Sequence, residues 1–346
     1  MERNWARDLR RGLIDPQGFY ERGWIDERVR DASLDLKGQL DFRVPRVFED
    51  LIKSGDESIK RQFVPSHREL NFRSYEIEDP IGDEAHTKLK GLVHRYKDRV
   101  LIKPTHRCAS YCRYCFRKFK VSHSENELTE AELEACLEYV KSHPEIKEVI
   151  LTGGDPMTLT DSKLGTLLRS LDAIGHLRLL RIHTRVFTVL PSRLTPGFMD
   201  LLKTLRKTLW FVTHINSASE ITDEARAAMR LASSSGIPLL NQSVLLKGIN
   251  DNFEALSRLS LALVENRITP YYLHYPDRVR GTDHFRIPLD EAVELYRQLR
   301  GQLPGYAIPT LILDIPGGGG KIPLDSGFVT QTDPLKVKSP LAGAEA

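Results

Sequence analysis

The feature that most constrains this fold is an alternation beginning near residue 100, in which short β-branched or apolar runs are followed by longer segments of helical period. Such an alternation is typical of βα units wound around a parallel sheet. Strands are predicted over residues 100–105, 148–152, 177–184, 209–216, 237–246 and 268–274. Helices are predicted over residues 129–142, 161–171, 197–206, 223–235, 253–266 and 289–301. The sequence therefore predicts an α/β fold, a partial (β/α)6 barrel with its functional face at the carboxyl ends of the strands.

The segments that flank this pattern differ from it. A seventh apolar run, residues 308–313, leads into Pro316 and four consecutive glycines, and we expect it to close the open side of the barrel. Residues 1–90 carry more charge and lack the strand rhythm, which predicts a helical N-terminal region packed on the barrel. The barrel and its glycine loop are assigned to residues 91–332. Residues 333–346 have no periodic apolar face and are predicted to be a disordered tail.

Composition narrows the class of protein. Apolar residues make up 40% and charged residues 28% of the 346 residues, and no segment offers the ~20 uninterrupted apolar residues that span a bilayer. The N-terminus lacks the apolar run of a secretion signal. The 50 basic and 47 acidic residues nearly balance, which argues against a nucleic-acid surface. We therefore expect a cytoplasmic protein with neither a membrane nor a nucleic acid as its partner.

Three of the four cysteines form a compact motif directly after the first predicted strand. Cys108, Cys112 and Cys115 lie within eight residues, so one loop can wrap them around a single cluster. Iron–sulfur cubes normally take four cysteines, and a set of three leaves one iron open to an external ligand. The motif therefore predicts an iron–sulfur cluster with an open coordination position.

Two other interpretations of the cysteines remain. A structural zinc site could combine them with His106 or His123, although zinc sites seldom use this spacing. The pair Cys112 and Cys115 could instead form a thioredoxin-like redox couple. Cys136 lies in a predicted helix about twenty residues further on, where a lone cysteine is most often a small buried apolar residue and not a ligand.

A second motif follows one strand after the triplet, namely Thr152-Gly153-Gly154-Asp155. Together with the triplet it resembles the radical S-adenosylmethionine (SAM) superfamily. The resemblance implies a 4Fe–4S cluster that binds SAM, with the glycine-rich strand end receiving the methionine amino group. Glycines suit this place because a backbone without Cβ lets a ligand approach the strand end closely. His214 and Gln242, near the ends of later strands, match positions that contact SAM in the superfamily, although both could simply cap their strands.

The glycine run ends in Lys321 and invites comparison with a phosphate-binding loop. The pattern of that loop fails, because Ile315 stands in place of its first glycine and Ile322 follows the lysine. A lysine on a flexible loop at the mouth of a barrel suits an imine, because a neutral amine must reach an aldehyde there. Alone, Lys321 would more often be an exposed loop lysine.

Over residues 60–330 the chain resembles the lysine 2,3-aminomutases. The resemblance extends through Asn241-Gln242-Ser243-Val244 and Pro270-Tyr271-Tyr272. It implies that Lys321 holds pyridoxal 5′-phosphate as an imine, while Arg95 and Tyr96 bind the phosphate of this cofactor. An arginine fork and a phenol donor are suitable phosphate ligands.

The same resemblance implies a substrate and a reaction. Arg117 matches the arginine that binds the substrate carboxylate, and Asp277 and Asp314 match two aspartates around the ε-ammonium of L-lysine. Two carboxylates favour a cation in a dry pocket, which argues against a glutamate mutase. The implied reaction is the 1,2-amino migration that converts L-α-lysine to β-lysine, with an electron donor such as flavodoxin or ferredoxin and a homo-oligomeric assembly as its partners.

Several uses of this activity stay open from the sequence. The product could be free β-lysine or could supply the modification of elongation factor P. The segments Cys112-Arg-Tyr-Cys115-Phe-Arg117 and Tyr272-Leu-His274 are more similar to the elongation factor P branch, whereas the intact loop from Pro316 to Lys321, together with Asp314, resembles the mutases proper. A mutase for another cationic amino acid is a further option. A hypothesis of a different class is a zinc-stabilised RNA-binding protein, suggested by the isoelectric point near 8.6 and the cysteine triplet.

Overall fold

The computed structural model describes residues 5–324, together with the backbone of 329–332 and 335–337. Ten strands form its main sheet, hydrogen-bonded in chain order from β1 to β10. The strands are β1 Thr87–Leu89, β2 Leu92–Tyr96, β3 Arg99–Thr105, β4 Glu148–Gly153, β5 Leu179–Thr184, β6 Thr208–Thr213, β7 Leu239–Val244, β8 Ile268–His274, β9 Thr310–Ile315 and β10 Gly320–Pro323. Strands β3 to β9 pair in parallel, whereas β1, β2 and β10 are antiparallel at the two edges.

Helices precede the sheet and cover its outer face. The N-terminal helices are α1 Trp5–Arg10, α2 Pro16–Glu21, α3 Glu27–Asp31, α4 Ser33–Gln39, α5 Glu49–Lys53 and α6 Glu57–Phe63. The helices between the strands are α7 Glu130–Ser142, α8 Asp161–Asp172, α9 Val186–Val189, α10 Pro196–Lys203, α11 Asp223–Ser234, α12 Phe253–Glu265 and α13 Leu289–Gln302. Threonine caps begin four of them; Thr129, for example, forms a reciprocal capping box with Glu132 at the start of α7.

The predicted partial barrel of six βα units is confirmed, and most bounds agree within two residues. The predicted end of β6 at residue 216 was too late. Strand β6 ends at Thr213, because beyond it the Ile215 backbone nitrogen donates to the Asn241 side chain, at 2.9 Å, and not to the backbone of a neighbouring strand. The three antiparallel edge strands were missed, and β1 lies inside the region predicted as helical. Each of these strands has five residues or fewer, too few to display a clear alternation.

The N-terminal helices and the barrel share one hydrophobic core. Phe19, Phe48 and Phe63 from the helices are fully buried in the same cluster as Ile102 and Ile182 from the sheet. The predicted packing of a helical N-terminal region on the barrel is thus observed, while the domain boundaries drawn from the sequence stay a prediction. Of the predicted tail, only the backbone of Leu335–Val337 is described, and it pairs antiparallel with Val329–Thr332; the rest lies outside the described residues.

A glycine contact bridges the gap between the two edges of the sheet. The seventh run forms β9, and the turn that follows it packs on the loop before β1. A Cβ on Gly82, whose φ is +67°, would come within 2.5 Å of the Gly317 carbonyl carbon, and one on Gly318 would meet His86. The turn therefore approaches so closely that only glycine fits. Within residues 5–324, no helix is both long and apolar enough to cross a bilayer.

Candidate active site

A cavity of about 620 Å³ opens at the carboxyl ends of the parallel strands, and every site residue predicted from the sequence lines it. This is the face where βα barrels place their active sites. The residues brought together are Arg95, Tyr96, Cys108, Cys112, Cys115, Arg117, Thr152, Gly153, Gly154, Asp155, His214, Gln242, Asp277, Asp314 and Lys321. The cysteine triplet therefore lines the same cavity as Lys321, which lies on the hairpin of β9 and β10 (the lysine hairpin).

The loop that carries Cys108, Cys112 and Cys115, the cysteine loop, is held by a buried carboxylate from the N-terminal segment. Glu69 accepts from Arg113 at 2.8 and 3.0 Å and from Lys118 at 3.3 Å, and all three side chains are at most 1% exposed. Burial alone would raise the pKa of Glu69, but the two cations lower it to about 2. This carboxylate therefore fixes the residues that separate and follow the cysteines.

The three thiols of this loop face the cavity. Burial raises the pKa of Cys108 well above its usual value, and Asp155 and the other two thiols raise it further. Soft sulfur donors in such a group suit an iron–sulfur cluster. Among the described residues, no three His, Cys, Asp or Glu side chains converge as they stand on a single metal ion. Cys136 lies in the core with its thiol 3.5 Å from the Lys90 carbonyl oxygen, which confirms its prediction as a buried apolar residue.

Glycine is required at the end of β4 because this strand end packs closely against the segment that leads into the cysteine loop. A Cβ on Gly154 would lie 2.4 Å from the Arg107 carbonyl oxygen, and one on Gly153, whose φ is +114°, would lie 2.7 Å from that of Thr105. These crowding atoms belong to the protein, so the structure gives a reason for glycine besides the ligand approach expected from the sequence. The two glycines seat the cysteine loop on β4.

The carboxylate of Asp155 is satisfied within the protein. It accepts from the Thr184 hydroxyl at 2.8 Å, from the Arg185 backbone nitrogen at 2.8 Å and from the Met157 backbone nitrogen at 3.0 Å. These bonds tie the ends of β4 and β5 together. The contact of Asp155 with a cofactor stays a prediction.

Lys321 lies on β10 and not on a flexible loop, which corrects the sequence-based expectation. Antiparallel pairing of β9 with β10 places it directly opposite Asp314, and its amine contacts the Asp314 carboxylate. The His274 Nδ1 atom is 3.5 Å from the same carboxylate and an Arg95 nitrogen is 4.0 Å away. Burial would raise the pKa of Asp314, but His274 and Lys321 lower it. Tyr96 lines the cavity beside this hairpin.

Asp277, the other predicted substrate carboxylate, has the opposite electrostatic setting. Burial raises its pKa to about 7, and the nearby Asp314 contributes to the rise, while Lys321 and Arg286 oppose it. Two carboxylates in one pocket therefore have pKa values pushed apart, as expected when like charges lie close together in a low-dielectric site. At neutral pH Asp314 is ionised and Asp277 is partly protonated.

The predicted arginines are held by a residue that sequence reasoning missed. Asp83 accepts from Arg117 Nε at 2.9 Å and lies 3.5 Å from the Lys103 amine and 3.8 Å from an Arg95 nitrogen. Burial would raise its pKa, but these cations lower it to about 2. Arg117 also lies 3.4 Å from the Thr152 hydroxyl. No local motif marks Asp83, because its partners are distant in sequence.

One of the residues predicted to contact SAM, His214, is joined to the cysteine loop. His214 Nε2 lies 2.9 Å from the Tyr114 hydroxyl and its ring stacks on that phenol, while Gln242 lines the cavity nearby. His183 and Arg185, on and after β5, also line the cavity and were not predicted. Their position at the carboxyl end of a predicted strand was the signal that could have identified them.

Comparison with known proteins agrees with this geometry. The family model of the radical SAM superfamily matches residues 102–259, the segment that carries the cysteine loop and most of the parallel strands. The fold and the site therefore define a radical SAM enzyme. The family model named lysine-2,3-aminomutase matches residues 296–338, which contain the lysine hairpin.

Curated relatives extend the match to most of the chain. The L-lysine 2,3-aminomutase of Acetoanaerobium sticklandii is 37% identical over 286 residues, covering 83% of this chain and 69% of that protein. The enzyme of the same name from Escherichia coli is 38% identical over 325 residues, covering 93% and 94%. That of Methanococcus maripaludis is 40% identical over 280 residues, but the chain spans only 64% of its length. The chain belongs to the lysine 2,3-aminomutase family, and radical SAM chemistry with a 4Fe–4S cluster is that of its superfamily.

Proposed function

We propose that this chain is an L-lysine 2,3-aminomutase, which converts L-α-lysine to β-lysine. The observation that carries the proposal is that one cavity is lined both by the cysteine triplet and by the hairpin of Lys321. A radical generated at one end could then reach a substrate held at the other without crossing solvent. The match to relatives of that name supports the same reaction.

Three groups of residues would hold the cofactors. Cys108, Cys112 and Cys115 would bind the 4Fe–4S cluster, and Lys321 would bind pyridoxal phosphate covalently. His214, Gln242 and the Thr152–Asp155 strand end would contact SAM, and Arg95 and Tyr96 the phosphate. When bound, the cluster and SAM supply a carbon-centred radical, and pyridoxal phosphate supplies the π-system through which the amino nitrogen migrates.

The chain itself orients the substrate and excludes water. Arg117 would take the α-carboxylate of lysine, since its 2.9 Å bond to Asp83 uses only Nε and leaves its two Nη groups as donors. Asp277 would face the ε-ammonium, and Asp314 would join it once Lys321 is engaged elsewhere. The apolar walls contributed by Val212 and Leu246 keep the reacting carbons away from bulk solvent.

The decisive experiment is product analysis after anaerobic incubation. The reconstituted protein would receive L-lysine, SAM, pyridoxal phosphate and dithionite, and the amino acids would be separated by chromatography. We expect β-lysine from the wild type and none from Cys112→Ala. Turnover of glutamate without turnover of lysine would overturn the proposal, and so would β-lysine formation by the Cys112→Ala control.

A second use of the same activity is the supply of β-lysine for elongation factor P. The motif around Cys112 to Arg117 and the Tyr272-Leu-His274 segment support this candidate. Mass spectrometry of elongation factor P from cells with and without the gene tests it, since a β-lysyl mass increment should disappear on deletion. We also propose a reducing cytoplasmic location, a flavodoxin or ferredoxin donor and a homo-oligomer; free thiols of this kind persist in reducing compartments.

A further inference from the structure

A buried arginine contacts one of the predicted cluster ligands. Arg185 follows β5 directly, its side chain is 7% exposed, and its Nη1 atom lies 2.6 Å from the Cys112 sulfur. The same nitrogen lies 2.5 Å from the Tyr114 hydroxyl oxygen. A guanidinium cannot lose its proton under protein conditions, so this contact places a fixed positive charge beside the thiol.

The surrounding residues hold this guanidinium in one orientation. Its Nη2 atom donates to Glu220 at 2.9 Å and to the Gln62 side-chain oxygen at 2.5 Å. The group also lies over the Phe63 ring, 4.6 Å from its centroid. Two separate segments of the chain, helix α6 and the segment that carries Glu220, therefore aim Arg185 at Cys112.

The carboxylate that neutralises Arg185 is itself shared among several donors. Glu220 is fully buried and accepts from the backbone nitrogens of Asn216 at 2.8 Å and Ser217 at 3.1 Å, and from the Gln62 amide at 3.1 Å. These bonds fix Glu220 on the side of the guanidinium away from the sulfur. Neutralisation of a buried cation would require only Glu220, so the contact with sulfur is an additional feature of the site.

We propose that Arg185 is a positioning residue that raises the reduction potential of the iron–sulfur cluster held by Cys112, an inference that rests on the proposed function. Taking up one electron makes the cluster more negative by one charge. A fixed cation and an N–H donor at a ligand sulfur stabilise that reduced form more than the oxidised form. The step consumes one electron from a low-potential donor and moves no proton, since the guanidinium stays charged in both states.

The test is a redox titration of the full chain with its reconstituted cluster, in the absence of lysine and pyridoxal phosphate. Electron paramagnetic resonance monitors the reduced cluster at each potential. In Arg185→Gln we expect the midpoint to become more negative by at least a tenfold change in the reduction equilibrium, which is 59 mV for a one-electron couple. Arg185→Lys keeps the charge and should retain more than half of the wild-type effect. The matched control is Arg181→Gln, which removes a cavity cation four residues earlier that pairs with Glu148.

Each outcome decides the proposal. A wild-type midpoint in Arg185→Gln at full iron and sulfide content would overturn it, as would an equal shift in Arg181→Gln. If Arg185→Gln fails to assemble a cluster, Glu220→Gln decides instead. Loss of the countercharge should then move the midpoint to a more positive value, and an unchanged or more negative value would refute the role.

The result is separable from that of the proposed function. A wild-type protein that binds the cluster but does not isomerise lysine would contradict only the mutase proposal. A wild-type protein that binds no cluster at all would contradict both.

Discussion

Asp277 should make turnover of lysine depend on pH near neutrality. Burial and the neighbouring Asp314 raise its pKa to about 7. Only the ionised carboxylate attracts an ammonium group. The ammonium group of lysine, with a pKa of about 10.4, stays protonated throughout this pH range, so Asp277 alone of the two changes its charge. With such a pKa, about a tenth of the free enzyme carries an ionised Asp277 at pH 6 and about nine-tenths at pH 8.

The size of the effect follows from this titration. Removing one carboxylate from a desolvated ion pair costs about 2–5 kcal/mol, or roughly 30-fold to several thousand-fold in kcat/KM. Asp277→Asn should show that full loss at pH 8. At pH 6 most wild-type molecules already lack the charge, so the ratio of wild-type to variant kcat/KM should be about tenfold smaller than at pH 8. The direction is fixed, because a raised carboxyl pKa weakens cation binding as the pH falls.

The assay is the initial rate of β-lysine formation from pH 6 to pH 8 for both proteins. Their ratio cancels titrations that the two share, including those of other histidines. Asp290→Asn, at the exposed first turn of α13, is the control and should follow the wild type throughout. Absorbance should give equal occupancy of the cluster and of pyridoxal phosphate in all three proteins. A wild-type to Asp277→Asn ratio that stays constant or grows toward acid would refute the reasoning.

Three further outcomes are expected from single substitutions. Alanine at Cys108, Cys112 or Cys115 should each abolish bound iron, whereas Cys136→Ala should keep it; equal iron loss in Cys136→Ala would show that the ligand set is wrong. Lys321→Ala should lose the visible absorbance of covalently held pyridoxal phosphate, and a band that survives dialysis would point to another anchor. Glu69→Gln should lower the free energy of unfolding by about 3–5 kcal/mol in urea titrations, because it leaves two buried cations without a countercharge. The lowered pKa of Glu69 means that its contribution is complete above its usual pKa of 4.5 and is lost as the pH falls toward about 2. A wild type that loses no more stability than Glu69→Gln across that range would contradict this origin.

The regular elements and the predicted site were accessible from the sequence because their signals are local. Strand β8, Ile268–His274, was predicted to the residue, since it follows a capped helix and has a dense run of β-formers. Cys108 and Gly153 belong to local motifs, whereas Asp277 was expected from the family resemblance. The rule that strand ends meet at one edge predicts that the three lie together although they are far apart in the chain.

Ion pairing could not be predicted in the same way. Glu69 and Arg113 are 44 residues apart, and Asp83 and Arg117 are 34 apart, so no periodicity links the partners. The pairing of Lys321 with Asp314 was hidden for a different reason. A run of glycines suggests a flexible loop, yet positive φ angles at Gly317, Gly318 and Gly320 shape a tight turn between paired strands.

These pairings also bear on the division of the chain at residue 90. The N-terminal region supplies Glu69 to two cations of the cysteine loop and Asp83 to Arg117, which lines the cavity. Without it, at least three buried or half-buried cations would lose their countercharge, each loss being costly in a low-dielectric setting. The apolar surface that faces Phe48 and Phe63 would also be exposed to water. A barrel that begins at residue 91 would therefore lack the countercharges of its active face, and expressed alone it should neither fold stably nor hold its cysteine loop in place.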